Sequence, residues 1–319
     1  MSQIKLIAGT SHPELADKIA KELGIKLTPI IAKKFANGEI YVRVEDTVRG
    51  DDVFIIQTMM EPVNDVLMET LILIDALRRS SAARINLICP QLGYSRQDRR
   101  VQSHEPITAK LVANLLVMAG MDRLITVDLH ADQIQGFYDI PVDHLVGYPL
   151  LAKVLLDEEY KDIVVVSPDI GGVKRANSLA DLLGVPIAII DKIRKEHNKC
   201  EVAHLVGDVE GKTAIIMDDI IDTGGSIAGA ANTVKEFGAK EVVICGTHAL
   251  LSGEASKKLE ECGASKIIVL DSVPVPKEKM IKKMEVVSLA PLLAKTISRV
   301  HNEESLGDLF TWDKERKIL

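Results

Sequence analysis

The chain is poor in several residue types and patterns, and each shortage excludes something. Cysteine occurs 4 times and tryptophan once in 319 residues, and aromatic residues make up 3%. Cys89, Cys200, Cys245 and Cys262 are scattered without metal-ligand or redox spacing, so they are expected to be reduced thiols in or near apolar strands. Long apolar runs are missing as well. The longest are of strand length, which leaves no transmembrane helix, and the opening stretch MSQIKLIAGTSHPELADKIA alternates polar and apolar residues and offers no signal peptide. Positive charge is in deficit, with 39 Lys and Arg against 46 Asp and Glu for a net charge of −7. That balance argues against nucleic-acid or membrane-surface binding. A cytoplasmic protein is the expectation.

What remains is 47% apolar and 27% charged, long enough for about two domains with a core each. Strand-like runs alternate with helical patterns. Strands are expected over 4–8, 39–44, 52–57, 85–89, 124–129, 163–166, 187–190, 213–217, 241–245 and 266–270. Helices are expected over 13–23, with Ser11 as cap, and over 63–80. This alternation is that of doubly wound parallel sheets with helices on both faces, an α/β fold. A faint internal echo, Ala113-Asn114, Gly120 and His130-Ala131 against Ala231-Asn232, Gly238 and His248-Ala249, recurs at a spacing of 118. It suggests two similar halves, 1–146 and 147–319.

The stretch KTAIIMDDIIDTGGS, from Lys212 to Ser226, organises the rest. An uncharged apolar run ends in Asp218 and Asp219; Asp222 follows, and Thr223, Gly224, Gly225 and Ser226 open a helical pattern. Glycines let the backbone approach a ligand, and the N–H groups of the turn and helix start suit an anion. Carboxylates cannot bind that anion, so they should face sugar hydroxyls. The motif reads as a phosphorylated-sugar site; solvated aspartates before an ordinary helix cap are the alternative.

The letters IIMDDIIDTGGSI resemble the phosphoribosyl diphosphate motif of the type I phosphoribosyltransferase fold, and are most similar to the ribose-phosphate diphosphokinase family. Other motifs extend the resemblance from about residue 4 to 310. FANGEI contains Asn37-Gly38 between extended segments, a hairpin signal. By itself it is only a turn; the resemblance makes Phe35, Asn37, Gly38 and Glu39 adenine contacts of ATP, partly across a subunit boundary. PQLGYSRQDRR carries Arg96, Arg99 and Arg100 and by itself is a basic loop; the resemblance makes Arg96 and Gln97 ATP contacts.

His130 closes LITVDLHA, and Asp169 follows the strand-like VVVSP. A histidine there is often structural, but the resemblance pairs His130 with Asp169 as Mg2+ ligands. Lys174 and Arg175 beside Asp169 read as solvated. In IIDKIRKEHNKCE the resemblance assigns catalytic cations to Lys192 and Arg194, the latter also a ribose 5-phosphate contact. Ile193 and Lys195-Glu196-His197 depart from the family pattern there.

The resemblance implies transfer of the diphosphoryl group of ATP to the anomeric hydroxyl of ribose 5-phosphate, with Mg2+ as cofactor and AMP released. It also implies a homohexamer, regulated by phosphate and ADP at an intersubunit site that Arg49, Ser80 and Ser81 would line. Gln102 and His104 depart from the basic residues usual near that site. Two rival readings share parts of the motif set: a phosphoribosyltransferase, which needs no ATP site, and a non-catalytic regulatory homologue.

Overall fold

Apolar runs that are buried on both faces form parallel strands, and amphipathic runs between them form covering helices. A computed structural model describes residues 2–193 and 202–309. The first half contains β1 (Ile4–Ala8), α1 (Pro13–Leu23), β2 (Ile30–Lys34), β3 (Ile40–Val44), β4 (Asp52–Ile56), α2 (Val63–Arg79), β5 (Arg84–Ile88), α3 (Thr108–Ala119), β6 (Arg123–Val127) and β7 (Val142–Leu145). The second half contains α4 (Tyr148–Asp157), β8 (Ile163–Ser167), α5 (Val173–Leu183), β9 (Ile187–Ile193), β10 (Val202–Val206), β11 (Thr213–Ile221), α6 (Gly225–Glu236), β12 (Glu241–Ala249), α7 (Ala255–Glu261), β13 (Lys266–Leu270), β14 (Met284–Val287) and α8 (Ala290–His301). Among the described residues no helix is long and apolar enough to cross a membrane.

The first sheet has the order β1-β4-β5-β6-β7, all parallel, and the second β10-β9-β8-β11-β12-β13-β14, parallel except for β10 at its edge. Leu27 makes a parallel bridge to Leu6 on the free side of β1, where β9 lies beside β8 in the other sheet. Both halves therefore share one strand order with a reversal of direction, at β1/β4 and at β8/β11. By this order the counterpart of β6 is β13. The echo at a spacing of 118 pairs β6 with β12, one unit off; the sheets, rather than that echo, carry the duplication.

Side-chain alternation sends each strand's residues to two cores. In β4, Val53 and Ile55 join the outer core under α2 and α3, while Phe54 and Ile56 face the opposite way. In β11, Ala214 and Ile216 join the outer core under α6 and α7, while Ile215 and Met217 face the opposite way. Those opposite faces meet one central core, filled by Leu15 and Ile19 of α1, Leu151 of α4, Leu179 of α5 and Leu293 and Ile297 of α8. The last helix thus packs on the first, and the halves share their largest core.

Several expected boundaries shift. β11 continues four residues past Met217 to Ile221, because Asp218 and Ile220 keep pairing with Gly246 and His248 of β12. The acidic pair sits within the strand end, not after it. His12, not Ser11, caps α1, its Nδ1 accepting from the Leu15 N–H; Ser11 bonds Gln57 and the Thr58 N–H. Cys89, Cys245 and Cys262 are free and buried, and burial pushes the Cys89 and Cys245 thiols up to about 12. Cys200 lies outside the described residues.

Candidate active site at the switch point of the second sheet

A cavity of about 560 Å³ opens at the carboxyl ends of β8 and β11, where an open α/β sheet receives its ligands. Asp169, Asp218, Asp219, Asp222, Thr223, Gly224 and Ser226 line it from the second half, and Arg96, Arg99 and His130 from the first. Gly225 begins α6 at its floor. The N-cap of α6 is Gly224 at φ +72°, a left-handed conformation natural only to glycine, and no side chain of that residue caps the helix. A Cβ there would lie 3.2 Å from the Cα and carbonyl oxygen of Ala255. The positive end of the helix dipole is thereby turned to the cavity.

The two adjacent carboxyls are shifted in opposite directions. Burial pushes Asp218 well above the usual carboxylate range, and Asp219 beside it adds to the shift. Burial would raise Asp219 also, but the His130 hydrogen bond and the Arg175 guanidinium outweigh it and hold that carboxyl below the usual range. His130 Nδ1 lies 2.9 Å from Asp219 Oδ2, and Arg175 Nη1 lies 3.2 Å from Asp219 Oδ1. Burial opposes ionisation of Asp222 too, but the Ser252 hydroxyl and the Arg96 guanidinium pull its carboxyl below the usual range.

Arg175 was expected to be solvated and is not. It is 19% exposed and reaches Asp219, with Asp218 at 3.7 Å. Which way α5 faces decided this, and helical spacing in GGVKR carries no such signal. Lys174 is solvent-exposed, as expected, and pairs with Asp132.

His130 and Asp169 face the same cavity. Asp169 Oδ1 accepts the Gly172 N–H at 2.9 Å. Among the described residues no group of three or more His, Cys, Asp or Glu is arranged to hold a metal ion. One carboxylate and one imidazole nitrogen fit a cation such as Mg2+, which takes few protein ligands and completes its shell with substrate phosphate and water.

The remaining expected residues are distributed elsewhere. Arg96 reaches across the halves to Asp222, Nη2 to Oδ2 at 2.5 Å. Gln97 lines the adjoining cavity, with Arg96 between the two, and accepts the Thr108 hydroxyl at 2.6 Å. Phe35, Asn37, Gly38 and Glu39 form the exposed tip of the β2–β3 hairpin, where the Glu39 N–H bonds Asn37 Oδ1. They do not line the cavity of their own chain. The backbone of Lys192 lies in β9 opposite Ala203, and Arg194 falls outside the described residues.

At the matching switch point of the first sheet, between β1 and β4, side chains bond the loop that follows β1. The Glu69 carboxylate accepts the Thr10 N–H at 2.9 Å and the Thr10 hydroxyl at 2.5 Å. The Gln57 amide abuts Gly9 so closely that a Cβ on that glycine would sit 2.2 Å from Gln57 Oε1. The Glu69 carboxylate thus takes up the Thr10 N–H and hydroxyl beside a cavity of about 320 Å³ that Thr10, Ser11 and Glu69 line.

A parallel sheet with paired aspartates and a glycine-started helix at its switch point is the architecture of the type I phosphoribosyltransferase fold. Two family profiles match this chain: "N-terminal domain of ribose phosphate pyrophosphokinase" over residues 4–120 and "Phosphoribosyl synthetase-associated domain" over residues 198–311. The ribose-phosphate pyrophosphokinase of Bacillus caldolyticus is 53% identical over 308 residues, 97% of this chain and 98% of that one. Its namesake in Bacillus cereus is 51% identical over 309 residues, again 97% and 98% of the two chains. The crystal structure of phosphoribosylpyrophosphate synthetase from Mycobacterium smegmatis aligns with a TM-score of 0.90 at 50% identity, covering 95% of this chain and 100% of that one. The chain belongs to the ribose-phosphate pyrophosphokinase family of diphosphotransferases.

Proposed function

We propose that this protein transfers the β,γ-diphosphoryl group of ATP to the anomeric hydroxyl of ribose 5-phosphate, giving 5-phosphoribosyl 1-diphosphate and AMP. The observation that carries the proposal is a single cavity with an acidic pair and a helix N-terminus on one wall and arginines from the other half opposite.

The 5-phosphate accepts hydrogen bonds from the backbone of Asp222–Ser226 at the start of α6. Asp218 and Asp219 bond neighbouring ribose hydroxyls, so the sugar is held in one orientation. Arg96 and Gln97 contact ATP. Phe35, Asn37, Gly38 and Glu39, exposed at the hairpin tip, contact the adenine held by a neighbouring subunit in a homo-oligomer, taken as a hexamer. That arrangement accounts for their distance from the cavity of their own chain. Residues 1–146 then form the ATP-side domain and 147–319 the sugar-phosphate domain.

The anomeric oxygen attacks the β-phosphorus in line: that O–P bond forms, the bond from the α,β-bridging oxygen to the β-phosphorus breaks, AMP leaves with that oxygen, and the hydroxyl proton passes to solvent. The transfer demands positioning and charge neutralisation more than covalent help. Mg2+, with His130 and Asp169 as its protein ligands, supplies charge neutralisation on the phosphates when bound. Lys192 and Arg194 add cations to the transferring group and to departing AMP. We place the protein in the cytoplasm, serving nucleotide biosynthesis.

The purified chain incubated with ATP, ribose 5-phosphate and Mg2+ is expected to release AMP in step with sugar consumption. ATP left intact under those conditions, or a pentose phosphate bound away from Asp222–Ser226 in a crystal, would overturn the proposal.

A further inference from the structure

The segment leading to His130 is held more firmly than a loop at a cavity wall requires. Asp128, which follows β6, has φ +41°, a conformation uncommon outside glycine and costly unless the surroundings impose it. Its backbone N–H bonds the Leu145 carbonyl at 2.9 Å. Its carbonyl accepts from Nε2 of His248 at 3.1 Å. One carboxylate oxygen, Oδ2, accepts both the Gly147 N–H at 3.1 Å and the Thr247 hydroxyl. The next residue, Leu129, donates its N–H to His144 Nε2 at 2.8 Å.

Three of these anchors belong to the other half: Gly147 is the N-cap of α4, and Thr247 and His248 sit on β12. Asp128, Thr247 and His248 are each 7% exposed or less. His248 is fixed in turn by Ser272 Oγ, 2.9 Å from Nδ1. Gly147 cannot carry a side chain, since a Cβ would lie 2.8 Å from Asp128 Oδ2 and 2.5 Å from Leu270 Cδ1.

We propose that Asp128, Thr247 and His248 form a brace between the halves whose role is to position His130 in the cavity. These are positioning residues. The buried Asp128 carboxylate accepts two donors from the second half, and the unusual backbone it sustains carries His130 to Asp219 two residues later. A shift of this loop moves His130 relative to Asp169, because the two come from different halves. The inference rests on the proposed role of His130 in holding the cation, and deepens it.

Thr247→Val removes one hydroxyl at nearly constant shape, and Thr247→Ser restores it. For Thr247→Val we expect the Mg2+ concentration for half-maximal rate to rise by about 10-fold, the scale set by losing a group that orients a metal ligand. Mn2+ binding in the presence of α,β-methylene ATP, followed by electron paramagnetic resonance, should weaken in parallel. KM for ribose 5-phosphate should rise less than the Mg2+ requirement, since the backbone of Asp222–Ser226 is untouched and Asp219 keeps its Arg175 partner. Hydrogen exchange of the peptide spanning residues 126–132 should accelerate, and Thr247→Ser should return every reading to near the parent value.

A Thr247→Val protein that is folded, with unchanged Mn2+ binding and unchanged exchange over residues 126–132, overturns the brace. So does a pattern in which Asp128→Asn abolishes Mn2+ binding while Thr247→Val is silent, which would make Asp128 a direct ligand. Failure of the parent chain to form AMP would instead count against the proposed activity. The exchange measurement would still decide whether the brace holds the loop.

Discussion

At the scale of residues, the decisive feature is how different two adjacent aspartates are made. Asp218 and Asp219 have the same side chain, yet burial pushes the first above the usual carboxylate range while His130 and Arg175 hold the second below it. The folded-state value of Asp219 is depressed, so its stabilising contribution is present above the unfolded carboxylate value of about 4 and is lost as pH falls below it. Asp219→Asn is therefore expected to lower stability at pH 7 by about 1–3 kcal/mol, as for losing a buried charged partner. The gap from the parent should narrow as pH is lowered below about 4. Urea unfolding of both proteins at pH 7 and at low pH checks this; a constant gap would refute the assignment. For the cation on β9, Lys192→Ala should reduce turnover by about 10²-fold, the scale for removing one electrostatic donor. A Lys192→Ala enzyme with near-normal kcat removes that residue from the reaction.

At the scale of elements, the site is made by where strands stop and helices begin. β11 extends far enough for its terminal carboxyls to enter the cavity, and α6 begins on a left-handed glycine with its amino end facing the same space. Gly224→Ala adds a Cβ against the Ala255 backbone and forces an L-residue into a disfavoured conformation. Displacing the start of α6 in this way should raise KM for ribose 5-phosphate by about 10-fold or more, in keeping with the cost of misplacing a binding element. KM for ATP should change little. Initial rates with each substrate varied in turn test this, and an equal rise in both constants would point to a general collapse of the cavity instead. The β2–β3 hairpin shows the reverse case. Its turn follows directly from Asn37-Gly38, but its distance from the cavity shows that the turn alone does not bring an adenine contact to the site.

At the scale of the whole molecule, two sheets of common strand order enclose one central core that includes residues from α1, α4, α5 and α8. A core shared in this way ties the stability of the halves together. Leu293→Ala removes a fully buried side chain of α8 and is expected to cost about 2–5 kcal/mol. Calorimetry should still show a single transition, moved to lower temperature. Two resolved transitions would mean that the halves unfold independently. The two switch points are furnished differently: Glu69 bonds Thr10 and Gln57 at the first, while the second faces Arg96 and Arg99.

Much of this was legible in the chain. The parallel α/β class, most strands and the glycine-started helix after Asp218 and Asp219 follow from local pattern, because burial on both faces writes itself as apolar runs and glycine marks a close turn. Four facts were not legible: the partnership of Arg175 with Asp219, the contact of Glu69 with Thr10, the packing of α8 on α1, and the anchoring of Asp128 by Thr247 and His248. Each joins residues far apart in sequence or depends on which face of an element turns inward. Sequence alone determined which chemical groups stand at the end of each strand; the tertiary structure decided which of them meet, and so which carboxyl is shifted up and which down, since those contacts and their burial exist only once the two sheets have packed.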